Sequence, residues 1–145
     1  MNVLNKVVRI YLFIFALYHL INGIITFCFT YFAVPFNRFL YDFHPNMDAQ
    51  FFLACKPWGA LTIFAGLVSM FTFRDPQRYR GVIYSLIVLL LLRAGYRLTY
   101  AKMMHEVVKT QFYRNYINIA ILILGAFLLL TWSLKNKGRE AQCKK

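Results

Sequence analysis

The sequence predicts an all-α fold, an integral membrane bundle of four transmembrane helices with a short outer interfacial helix, and three observations carry that prediction. Four apolar stretches approach the roughly 20 residues that cross about 30 Å of hydrocarbon at about 1.5 Å per residue. Hydrophobic residues make up 60% of the 145-residue chain, well above the soluble norm of about half. Charged residues contribute only 15%, too thin a coat for a soluble globule of this composition. The whole chain therefore reads as a single membrane domain, with lipid as the solvent for much of it.

The first span covers residues 10–32. It follows a basic start, as a signal peptide would, but it is too long for a signal h-region and no small-x-small cleavage pattern precedes Pro35, so it reads as an uncleaved signal anchor. Tyr11, Tyr18, Asn22, Thr26 and Thr30 form a polar stripe along it, with His19 one position off the stripe. Polar groups in hydrocarbon seek partners, so this stripe should face the bundle interior and bond to other helices. In a sharper reading His19 and Asn22 belong to a cofactor or quinone pocket.

Residues 35–43 come next, with Phe36, Phe39, Leu40 and Phe43 at helical spacing and Asn37, Arg38, Tyr41 and Asp42 opposite them. Pro35 is suited to a first helical position and Pro45 to a stop, so the segment reads as a short amphipathic helix lying in the interface. The second span covers residues 48–73 with Asp48 as its N-cap. Pro57 inside it should kink the helix or end its first turns. Gly59, Thr62, Gly66 and Ser69 recur at three- and four-residue steps, a seam of small residues where another helix can approach closely.

The third span, residues 81–100, carries Arg93 and Arg97 four residues apart on one helical face. Counted from Gly81 they lie about 18 and 24 Å along the helix, which puts Arg93 past the bilayer midplane. A charge at that depth costs at least a few kcal/mol unless it snorkels or finds an anion. The candidates are a carboxylate of Asp42, Asp48 or Glu106, or the anionic part of a lipid, a quinol or a neighbouring subunit. The fourth span covers residues 116–134, and a basic tail occupies residues 135–145.

The formal net charge of +12 would suggest nucleic acid for a soluble domain, but its placement argues otherwise. Ten of the basic residues cluster beside the spans: Lys6 and Arg9, then Arg74, Arg78 and Arg80, then Lys135, Lys137, Arg139, Lys144 and Lys145. That is a positive-inside pattern, which puts both termini on the cytoplasmic side, as in a bacterial inner membrane. On the other side Arg38, Lys56, Arg93 and Arg97 outline a basic cleft suited to an anionic lipid headgroup or the acidic edge of a partner.

Cys28, Cys55 and Cys143 form no CxxC pair and no metal-ligand spacing. Cys28 and Cys55 read as packing residues, with a disulfide between them as the alternative. Asp42, His44 and Asp48 could bind a divalent metal, but their spacing matches no strong pattern and no metal site is assigned. No phosphate loop, nucleophile elbow or His-Glu-x-x-His motif occurs, so no catalytic residue is assigned. His105 and Glu106 fit a solvated helix extension, with Lys102 and Lys109 in pairing range of Glu106.

The four-span plan, the arginine-bearing third helix and the short turn Arg74-Asp75-Pro76-Gln77-Arg78 resemble the DoxX-like and BphX-like small membrane proteins. That resemblance implies a four-helix fold and, for part of the group, a role as accessory subunit of quinone-linked membrane oxidoreductases. Two functional expectations follow. The first is a noncatalytic accessory or assembly subunit of a larger membrane complex, in contact with lipids and with other subunits or its own copies. The second is a small lipid- or quinone-linked enzyme or transporter. No resident cofactor is predicted, although a bound phospholipid or quinone fits either reading.

Overall fold

Long apolar runs cannot leave backbone N–H and C=O groups unpaired in hydrocarbon, and helices satisfy those groups within one segment. In the computed structural model, which describes residues 3–41, 44–46 and 48–143 with side chains up to Asn136, the chain forms α1 (Val3–Cys28), α2 (Thr30–Tyr41), α3 (Ala49–Arg74), α4 (Arg80–Thr99), α5 (Ala101–Val108) and α6 (Phe112–Cys143). Helices α1, α3, α4 and the Phe112–Asn136 part of α6 are long and apolar enough to cross a membrane. Their outward faces carry large apolar side chains, Ile10, Leu61, Phe64, Leu92 and Leu124 among them. This is the build of an integral membrane protein.

The helices associate as two antiparallel pairs, α1 with α3 and α4 with α6. The first pair is held at backbone range by glycines. A Cβ added to Gly59 would lie 2.7 Å from the Phe27 nitrogen, one on Gly66 would lie 2.9 Å from the Leu20 nitrogen, and one on Gly23 would lie 2.7 Å from the Ile63 nitrogen. Ser69 is fully buried on the same side of α3, whereas Thr62 is only half-buried and returns its hydroxyl to Trp58 O at 2.8 Å. The second pair joins α1 through a core of Val8, Leu12, Ile83, Leu90, Leu129 and Trp132. Trp132 Nε1 donates to Asn5 Oδ1 at 2.7 Å, which ties the start of α1 to α6.

Several boundaries differ from the sequence reading, each for an identifiable reason. The first helix starts at Val3 because its polar residues Asn5 and Lys6 do not interrupt a face that Val8 and Leu12 bury. It breaks at Phe29, inside the expected span, and the chain restarts as α2 at Thr30. Two carbonyls at the break are bonded by side chains: Thr30 Oγ1 donates to Thr26 O at 2.9 Å and Lys56 Nζ to Phe27 O at 2.6 Å. Pro35 therefore lies inside α2 instead of starting it. Asp42 and Phe43, the expected end of the interfacial helix, lie outside the described residues, and so do the proposed Asp42 pairings and the Asp42 member of the metal set.

Helix α3 runs through Pro57 without a break. Asp48 caps it by accepting from Phe51 N at 2.7 Å. Cys28 and Cys55 are both free, Cys28 exposed and Cys55 buried. The loop expected over residues 101–115 contains α5, on which Lys102 and Glu106 approach to 3.9 Å as an exposed pair. Contacts of that kind add little stability. Helix α6 continues past residue 134 to Cys143, because Leu134 to Asn136 still pack or face outward in register and no proline follows.

Candidate functional site

Helices α1, α4 and α6 enclose a cavity of about 220 Å³. Three turns of α1 supply Tyr11, Phe15, Tyr18 and His19, because residues three and four apart share one helical face. Helix α4 supplies Arg93 and Arg97 by the same spacing, and α6 adds Asn118, Ile121 and Leu122. Tyr41, at the end of α2, completes one side.

Hydrogen bonds fix the state of the histidine. His19 Nδ1 lies 2.8 Å from Phe15 O, and a carbonyl only accepts, so Nδ1 carries the proton. His19 Nε2 then offers its lone pair to Arg93 Nη1, 3.0 Å away. The imidazole is thus a neutral acceptor for a guanidinium. Its ring stacks on Phe15, with centroids 3.8 Å apart, and Tyr18 meets it edge-on at 5.0 Å. Phe15 and Tyr18 thereby restrain the ring that faces Arg93.

Arg97 is held differently. Its Nη1 donates to Asn115 Oδ1 at 2.9 Å, while Asn115 Nδ2 donates back to Arg97 O at 3.1 Å, so the buried amide of α6 locks both ends of this arginine. The guanidinium also sits over the Tyr41 ring, 5.1 Å from its centroid, where the ring's negative face attracts it. Tyr41 and Tyr18 are hydrogen-bonded through their hydroxyls. Among the described residues no carboxylate lies within ion-pair range of Arg93 or Arg97. Two like charges one turn apart repel, and among the described residues the partners of these two are a neutral imidazole, an amide and a ring.

The polar stripe on α1 bonds mostly along its own helix rather than across to neighbours. Asn22 Nδ2 donates to Tyr18 OH at 3.4 Å and Thr26 Oγ1 to Asn22 Oδ1 at 3.4 Å. A four-residue step puts each group one turn above the last, within reach. The interhelical links come from Tyr18 to Tyr41 and from His19 to Arg93.

Of the four basic residues expected to share a cleft, the cavity brings together only Arg93 and Arg97. Lys56 is turned away, bonded to Phe27 O and placed 5.8 Å over the Phe27 ring at the α1 break. Arg38 is exposed on α2 and does not line the cavity. The sequence reading does not single out Tyr41, Asn115 and Asn118, which line the cavity or bond to its arginines. Their signal was available in part, since an asparagine at the head of an apolar span needs a polar partner. A shallower hollow at the far end of α1 and α3 is lined by Arg9, Arg74 and the edge-on pair Phe13 and Phe73. Among the described residues no group of three or more His, Cys, Asp or Glu side chains comes together as a metal site.

Comparison with protein-family models, with curated proteins and with solved structures finds no match to this chain.

Proposed function

We propose that this protein is a noncatalytic accessory or assembly subunit of a larger membrane complex, and that its cavity holds the anionic end of a lipid-like molecule. The observation that carries the reading is the pair of guanidiniums on one cavity with only neutral partners among the described residues. Arginine forks match carboxylate and phosphate oxygens, and a low-dielectric wall strengthens that attraction. The backbone-range seam between α1 and α3 supports a rigid scaffold role, and the resemblance to DoxX-like and BphX-like proteins agrees with an accessory subunit. In this reading the termini are cytoplasmic and the membrane is a bacterial inner membrane, following the clusters of Lys and Arg beside the spans.

Native mass spectrometry of the protein released from mild detergent tests the site. The wild type should retain an acidic lipid, and Arg93→Gln with Arg97→Gln should lose it. Equal retention by both would overturn the anion site. Copurification tests the accessory role, which requires a larger partner in fixed stoichiometry.

A second reading, a lipid- or quinone-linked enzyme or transporter, is favoured by the Tyr18 and Tyr41 hydroxyls beside a neutral imidazole. Such groups can hydrogen-bond a quinone carbonyl. A monodisperse particle carrying a bound quinone and no partner would favour it.

A further inference from the structure

The walls of the cavity are uneven, and the unevenness specifies a ligand more narrowly than charge does. On the side of α2 it is lined by Tyr41, hydrogen-bonded to Tyr18 and set against the Arg97 guanidinium. On the side between α1 and α6 two wall residues, Ile14 and Ile121, are 60% and 58% exposed, so they line the cavity and the outer surface of the bundle together. Ile121 is the tenth residue of α6, which puts it about 13 Å along that helix. In a chain that crosses a layer of about 30 Å, this is hydrocarbon depth. The mouth thus opens sideways into lipid, while the polar end of the cavity lies beside the tyrosine pair.

We infer that the site takes a single-chain lipid acid, a long-chain carboxylate of the fatty-acid class, which enters from within the membrane between α1 and α6. The inference rests on the anion-site reading above and adds the identity and route of the ligand. A carboxylate is planar and pairs edge to edge with a guanidinium, and both Arg93 and Arg97 reach the cavity. A head of that size fits beneath Tyr41 in about 220 Å³. A phosphodiester lipid would have to place a glycerol, two chains and a head substituent through the same mouth. The single chain instead lies along the groove between Ile14 and Ile121, continuous with the bilayer. Small water-soluble anions lack the chain that this groove would hold.

Photolabelling of the full chain in dodecyl maltoside micelles tests this, with palmitate and phosphatidylglycerol probes that each carry a mid-chain diazirine. The palmitate probe should label α1 and α6 near Ile14 and Ile121. Oleate should compete, whereas methyl oleate, which lacks the charge, and acetate, which lacks the chain, should not. Arg93→Gln with Arg97→Gln should lower labelling by at least about tenfold, the factor that loss of even one charge-assisted contact implies. Ile121→Trp or Ile14→Trp, which fill the mouth and leave the arginines in place, should block it as well.

Labelling by the phosphatidylglycerol probe alone, dependent on the arginines, would overturn the single-chain acid and leave the anion site standing. Labelling that ignores the arginines with both probes would remove the anion site itself. Competition by acetate would refute entry from the membrane. Competition by methyl oleate on equal terms with oleate would refute the carboxylate.

Discussion

Substituting alanine for Gly59 offers the sharpest test of the packing that presents α1 to the cavity. The added Cβ would sit 2.7 Å from the Phe27 nitrogen and 2.9 Å from its Cα. Neither is the flexible end of a side chain, so the helices themselves must move. Ordinary contact begins near 3.4 Å, so α1 and α3 must separate there by roughly 0.7 Å. A gap of that size forfeits a quarter to a half of each atom-pair well of ~0.1–0.2 kcal/mol, which over some tens of pairs along the seam comes to about 2 kcal/mol. Lipid provides little hydrophobic drive to restore the contact, since tails solvate apolar faces as well as a helix does. The assay is reversible unfolding in mixed micelles, with Gly81→Ala and Gly95→Ala as controls, because a Cβ at either position meets nothing within 4 Å. The controls should be neutral or slightly stabilising, as expected for alanine in a helix. Gly59→Ala with the stability of the controls would refute the close seam.

Three further outcomes follow from the site. Asn115→Leu removes both bonds to Arg97 and should cost about 2 kcal/mol in the same unfolding assay, because bonds to a charged group carry more than neutral ones. A double-mutant cycle of Tyr18→Phe and Tyr41→Phe should show a coupling of about 1 kcal/mol; additive effects would mean that the two hydroxyls do not pair. Lys56→Met should lower stability by about 1 kcal/mol through loss of the bond to Phe27 O, while retention of acidic lipid in native mass spectrometry stays at the wild-type level. Lost retention in that variant would return Lys56 to the cleft.

Much of the architecture is legible in the sequence because hydropathy and length alone govern which segments can lie in hydrocarbon. The apolar runs that become α1, α3, α4 and α6 are visible without any knowledge of contacts. Arg93 and Arg97 also stand out, because a charge inside an apolar run has few innocent explanations. Charge and expected depth group Lys56 and Arg38 with them, and neither quantity says which way a side chain leaves its helix. The break at Phe29 illustrates the same limit. There Lys56, 29 positions along the chain from Phe27, donates to the Phe27 carbonyl.

Composition and periodicity by themselves determined a helical chain with four apolar helices, a seam of small residues on α3 and two arginines on one face of α4. These are properties of single segments, decided by a period of 3.6 residues and by the solvent each face prefers. Only the tertiary structure decided that α1 lies between α3 and the α4–α6 pair, that His19 accepts from Arg93, and that Asn115 and Tyr41 hold Arg97. Those pairings join residues up to 74 positions apart. They exist because glycines draw α3 onto one face of α1 and leave the face bearing Tyr11, Tyr18 and His19 turned toward the arginines.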